Sequence, residues 1–206
     1  QQQRVAVARA LASEPRVLLL DEPLSNLDPG LRERTRRELR AALVQSGVTS
    51  VFVTHEQEEA FALGDRVAVL RNGALEQVGT PRQLYEQPDT EFVATFVGRA
   101  SVLEGVLVDG GRVRVAEGVE WPTVCPDPHG EARSVSVVVR PEAVEFTDGP
   151  GLEGTVVEHR YTGARAYFTV AVGEAAVEVE APVDSAAVGE TVRLTASRSR
   201  CYRGDD

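Results

Sequence analysis

The sequence predicts an α/β unit, built as a parallel sheet with crossover helices, followed by an all-β domain. Two apolar or β-branched runs, Val17 to Leu20 and "VTSVFVT" at 48–54, flank a stretch of helical length, "GLRERTRRELRAALVQSG". From about residue 99 the texture changes to short strand-like segments separated by Gly, Pro and Asp. Strand, helix, strand at these lengths is a βαβ unit, whose two strands run parallel. Closely spaced short strands with turn residues between them make a small barrel or sandwich. The two parts are residues 1–98 and 99–206.

The opening "QQQRVAVARALASEP" carries Val5, Ala8, Leu11 and Ala12 at helical spacing and stops at Pro15. No capping residue precedes it and the sequence has no methionine, so the chain is expected to be the later part of a longer protein. Val17–Leu20 has the form of a strand covered on both faces. Asp28 and Pro29 supply an N-cap and an N1 proline, and Leu31, Leu39, Ala42 and Leu43 then share one side of a surface helix until Gly47. "VTSVFVT" is the second buried strand, "EQEEAFALGD" a helix with an acidic first turn, and "RVAVLRNGALEQVG" a hairpin turned at Asn72–Gly73. Thr80–Pro81 starts a short helix, and "TEFVATFVG" supplies another ending at Gly98. In the second part, "SVLEGVLVDGGRVRVAEG", "SVSVVVRPEAVEF", "GTVVEHRYTGARAYFTVAVG", "AAVEVEAP" and "ETVRLTAS" are strands, and "PTVCPDPHGEA" is a turn-rich loop.

The formal charge is −10, and the acidic excess lies mainly after residue 98, where 11 arginines face 18 acids. That balance argues against nucleic acid as a partner. No apolar run approaches the roughly 20 residues of a membrane span. The two cysteines, Cys125 and Cys201, are far apart in sequence and lack a CxxC partner, which argues against a disulfide framework or a zinc site and favours a reducing compartment. All 22 basic residues are arginine.

Asp21 and Glu22 stand side by side at the end of the first strand. In a βαβ unit the residues after both strands share one sheet edge, which brings them beside His55, where α/β sheets bind ligands. One carboxylate can hold Mg²⁺, the other can take a proton from water, and the histidine can hydrogen-bond a phosphoryl oxygen. These are parts of phosphoryl-transfer machinery.

In this order and spacing, "QQQRVAVARAL", "LLLDEP", "SNLD" and "VFVTHEQEEA" resemble the nucleotide-binding subunits of ABC transporters, which implies a P-loop NTPase fold for residues 1–98. By that resemblance Gln1 is the last residue of the signature, facing nucleotide held by the opposite subunit. Asp21 ends the Walker B strand and helps hold Mg²⁺, and Glu22 is the general base. Asp28 belongs to the D-loop, and His55 is the H-loop residue that senses the γ-phosphate. "VVVRPEAVEF" and "GTVVEHRYTGARAYFTV" resemble the TOBE-type, OB-like domain of ABC importers. "NGALEQVGTPRQLYEQP" resembles the importers of ferric iron, polyamines, sulfate or sugars.

The resemblance implies ATP and Mg²⁺ as cofactors, and membrane permease subunits and a second copy of the chain as partners. A solute-binding protein would act indirectly. The implied place is the cytoplasmic face of the cell membrane. One departure matters: a P-loop needs a lysine on the β/γ oxygens, and this chain has none, so the chain alone is expected to be inactive. Two other readings are an ABC-type ATPase of DNA maintenance, and a β-domain that binds an oxyanion, a metal or a protein. Tyr161, Arg165 and Tyr167 are candidate contact residues on that domain; His129 and His159 read as loop or surface residues.

Overall fold

The computed structural model describes residues 2–25, 27–108, 110–125 and 134–203. By contacts the chain divides into two compact units, Gln1–Gln87 and Pro88–Asp206.

The first unit runs α1 (Gln2–Ala12), β1 (Val17–Asp21), α2 (Pro29–Ser46), β2 (Thr49–Val53), α3 (Gln57–Leu63), β3 (Val67–Arg71), β4 (Ala74–Gly79) and α4 (Pro81–Glu86). β1 and β2 pair in parallel, with Val17 opposite Thr49 and Asp21 opposite Val53. The helix between them begins and ends for local reasons. The Asp28 carboxylate accepts the Leu31 N–H at 3.0 Å, Pro29 occupies the first turn, and Gly47 closes the helix in the left-handed region, its N–H bonded to Leu43 and Val44 carbonyls. Asp28→Ala is expected to destabilise this unit by about 1 kcal/mol, read as a lower urea midpoint with an unchanged slope.

Leu18 and Leu20 are buried with Leu24, Leu39 and Leu63, and Val7, Ala10, Leu11, Leu43 and Phe52 pack around them. The expectation of strands covered on both faces is not met. β1 alternates exposed and buried residues along its length, and β2 is mostly exposed, with Leu19 at 74% and Val17, Val51 and Val53 also open to solvent. The apolar residues of α1, α2 and α3 gather on the Leu18–Leu20 side, so in the described residues only that side is covered. A continuous aliphatic run reports that both sides prefer burial, not that one chain supplies both covers.

β3 and β4 form the expected hairpin, with Asn72 and Gly73 both at positive φ (51° and 81°) as a two-residue turn of the primed type requires. α4 starts in a capping box. Thr80 Oγ1 accepts the Gln83 N–H at 3.2 Å, and Gln83 Oε1 accepts the Thr80 N–H at 2.9 Å.

The second unit opens with α5 (Glu91–Phe96) and continues with β5 (Ser101–Val108), β6 (Arg112–Ala116), β7 (Val119–Val124), β8 (Ser134–Val139), β9 (Val144–Phe146) and β10 (Leu152–Tyr161). Then come β11 (Arg165–Val172), β12 (Ala175–Pro182), β13 (Thr191–Ala196) and β14 (Ser199–Arg203). It starts ahead of the change in sequence texture at 98/99 because α5 belongs to it. Ala94 packs with Val138 and Tyr202, and the Tyr202 hydroxyl donates to the Pro88 carbonyl at 3.0 Å.

Five strands close a barrel in the order β14-β7-β6-β5-β8, and five form a sheet in the order β12-β11-β10-β13-β9. One buried core serves both, with Leu103, Val113, Trp121 and Val137 from the barrel strands and Val156, Phe168, Val170, Val179 and Leu194 from the sheet. β7 and β14 were not legible as strands, the first because Pro122 interrupts it and the second because "SRCYR" is mostly polar.

The cysteine expectation is corrected here. Cys125 and Cys201 are joined in a disulfide, with Cα atoms 4.9 Å apart. β14 lies parallel to β7, with Ser199 opposite Thr123 and Arg200 opposite Val124, so one more step of register sets Cys201 beside Cys125. A sequence separation of 76 residues conceals a neighbour relation that only barrel closure creates.

Candidate functional site

The edge where β1 and β2 end gathers the residues that the sequence singles out. Asp21 is the last residue of β1, opposite Val53, and its side chain is exposed. Glu22 follows with φ of 40°, in the left-handed region that non-glycine residues seldom occupy. Its N–H donates to the Val53 carbonyl at 2.8 Å, extending the ladder by one rung, and its carbonyl accepts from both the N–H (3.2 Å) and the hydroxyl (2.9 Å) of Ser25. Such a backbone costs about 1–3 kcal/mol and persists where its surroundings fix it, often at functional sites. Here it turns the Glu22 side chain toward the end of the neighbouring strand.

His55 Nδ1 lies 3.0 Å from Glu22 Oε1. An ionised carboxylate only accepts, so Nδ1 carries the proton of this bond, while Nε2 faces Glu56 Oε1 at 3.8 Å. The hydrogen bond to Glu22, and then its charge, raise the His55 pKa above the ordinary 6.5. The imidazolium is thereby favoured, and it donates from both nitrogens. The sign follows from that direction: the contact's contribution is full below about pH 6.5 and is lost as pH rises through the raised value. His55 is exposed and screened, so the observable is a titration midpoint, not a stability change. Proton NMR should place the His55 midpoint lower in Glu22→Gln than in the parent sequence.

Asp28 sits at the helix start, with its carboxylate engaged in the cap. Its structural role is thus filled, and the loop from Glu22 to Asp28 is anchored at both ends. Gln1 lies outside the described residues, as does His129. His159 is exposed and stacks on Phe168 with ring centres 4.8 Å apart. On the β unit, Arg165 pairs with Glu180 (2.7 Å), Tyr167 is flanked by the guanidinium groups of Arg99 and Arg160 (4.9 and 5.1 Å), and Tyr161 is exposed.

Three residues at this edge escaped the sequence reading. Arg32 Nη1 donates to Glu56 Oε1 at 3.2 Å and Nη2 to the Leu27 carbonyl at 3.3 Å, while Nε lies 3.8 Å from Glu59 Oε1. Glu59 is 2% exposed, although "EQEEA" reads only as an acidic helix face with helpful charge near its positive end. The Thr54 hydroxyl donates to its other oxygen at 2.9 Å. The spacing of Arg32, Arg36 and Arg40 on α2 was the available signal: Arg36 also pairs with Glu58, and Arg40 with Asp65 and the Leu63 carbonyl. Five arginines on one helix hide which three face α3.

Among the described residues no group of three or more His, Cys, Asp or Glu is placed to hold a metal ion. Mg²⁺ does not need one, since it is commonly bound by one or two carboxylates with phosphate and water completing the shell. An exposed Asp21 carboxylate at a strand end fits that requirement. No helix among the described residues is long and apolar enough to cross a membrane.

Residues 137–203, from β8 to β14, match the TOBE domain family. The homologues are ATP-binding subunits of ABC importers. The Fe(3+) ions import ATP-binding protein FbpC 1 of Rhodococcus jostii is 50% identical over 165 residues, 80% of this chain and 46% of that protein. The spermidine/putrescine import protein PotA of Ruegeria pomeroyi is 42% identical over 84% of this chain and 49% of its own length. The sulfate/thiosulfate import protein CysA of Xanthomonas campestris is 45% identical over 95% and 57%. The chain spans about half the length of the curated relatives that it matches.

Proposed function

We propose that this chain is the part of an ABC importer's ATP-binding subunit that carries the catalytic carboxylate and the sensing histidine. The observation that carries the reading is the 3.0 Å contact between Glu22 and His55 across the ends of two parallel strands, beside Asp21. In the whole subunit, Asp21 would help hold Mg²⁺, which would supply charge neutralisation at the phosphates. Glu22 takes the proton of the attacking water through its oxygen not bound to His55. His55 donates from Nε2 to a phosphoryl oxygen, with Nδ1 held by Glu22. Asp28 fixes the D-loop end while capping α2. Gln1 faces nucleotide held by a second copy.

The proposed fold of residues 1–98 is that of a P-loop NTPase, and the β unit is the OB-like part, which contacts its mate in a dimer. The subunit works on the cytoplasmic face of the membrane with permease subunits, and through them with a solute-binding protein. Relatives named for iron, polyamine and sulfate import favour transport over DNA maintenance. The exposed side of β1 and β2, with Leu19 at 74%, supports a sheet that is completed by other residues of the whole subunit. The lysine of a phosphate-binding loop must come from there as well, since these 206 residues hold none. Mg²⁺-dependent ATP turnover by the whole subunit tests the reading. Turnover is expected, with ATP-driven uptake once permease is added; a subunit that folds and dimerises without turning over ATP would refute it.

A further inference from the structure

We propose that Arg32 is a positioning residue that holds His55 against Glu22, by tying the turn that carries His55 to the loop that follows Glu22. This rests on the reading above, that Glu22 and His55 act together on ATP. The guanidinium reaches two segments at once. On one side is the Leu27 carbonyl, at the end of the loop leaving Glu22. On the other are the carboxylates of Glu56 and Glu59, in the segment leaving His55.

The His55 turn is itself laced. The Thr54 hydroxyl accepts the Glu56 N–H at 3.0 Å and donates to Glu59 at 2.9 Å, so the residues on both sides of His55 are fixed to the carboxylate that Arg32 faces. Arg32 in turn is fixed to the far end of the loop, because its own N–H bonds the Asp28 carbonyl at 2.8 Å in the first turn of α2. A closed circuit results. It runs from Glu22 along the loop to Leu27 and Asp28, through Arg32 to Glu56 and Glu59, and back by Thr54 and His55 to Glu22.

Arginine suits this place better than lysine. Its planar fork offers donors in several directions, whereas an ammonium is a single point charge. Glu59 adds a second requirement, since a buried carboxylate without its cation is costly. Arg36 and Arg40 lie on the same side of α2 at four-residue steps, but their partners, Glu33 and Glu58 for Arg36 and Asp65 and the Leu63 carbonyl for Arg40, include neither Glu22 nor His55. They hold the helices together without entering the circuit, which makes Arg36 the control.

The test is steady-state Mg²⁺-ATP turnover of the whole subunit, with thermal midpoints measured on every variant. Arg32→Ala should lower kcat by about 10- to 100-fold, the loss expected for misplacing catalytic groups by about an ångström, with KM for ATP little changed. Arg32→Lys should recover part of that loss, and Arg36→Ala should leave kcat at the parent value. If Arg32→Ala unfolds, Arg32→Lys decides the matter, because it keeps a cation by Glu59 and should lower kcat in a folded protein. Turnover that depends on Glu22 yet is indifferent to both Arg32 variants would overturn the proposal alone, as would a loss confined to KM or one matched by Arg36→Ala. Absence of turnover in the parent protein would overturn the functional reading, and this inference with it.

Discussion

Replacing Glu22 by Gln in the whole subunit is expected to lower kcat for ATP hydrolysis by roughly 10²- to 10⁴-fold, the range spanned by a positioned general base, with KM little affected. Gln keeps the volume and one hydrogen-bonding oxygen, so it can still accept from His55 Nδ1 while losing the capacity to take a proton. A loss of this form removes an interaction made only in the transition state. The strained backbone at Glu22, bonded to Val53 and Ser25, should survive the substitution, because those bonds are made by main-chain atoms. Nucleotide binding should therefore persist in a subunit that no longer turns over.

The second large effect lies in the β unit. Phe168 is fully buried, meets Phe146 edge-on with ring centres 5.4 Å apart and stacks on His159 at 4.8 Å. Phe168→Ala should destabilise that unit by about 3–5 kcal/mol, seen as a fall of more than ~10 °C in its melting temperature. Tyr161→Ala, at a side chain 68% exposed, should move stability by no more than about 0.5 kcal/mol. Equal effects from the two would show that the described core is wrong.

Local chemistry was the legible part of this molecule. The Asp28–Pro29 start, the Gly47 stop, the Asn72–Gly73 turn and the Thr80 cap each depend on a few neighbouring residues, and each stands where the sequence places it. The parallel pairing of β1 and β2 was legible because a helix of this length between two strands leaves little choice, and the meeting of Glu22 with His55 follows from it. What escaped needs long-range information. The open side of β1 depends on which elements are present to cover it. β14 is a strand because β7 and β8 flank it, not because "SRCYR" prefers to be one. The Cys125–Cys201 link and the burial of Glu59 likewise depend on which elements become neighbours. The division at 98/99 followed composition, while α5 is assigned by its contacts with Val138 and Tyr202.

The central claim is that the chain holds the carboxylates and the histidine of an ATP site but not the lysine that would secure the phosphates. Its most direct test is Mg²⁺-ATP turnover by the purified 206-residue chain, measured beside the whole subunit under the same conditions. The account predicts turnover by the whole subunit and none by the chain alone. Turnover by the chain alone that disappears with Glu22→Gln would contradict it.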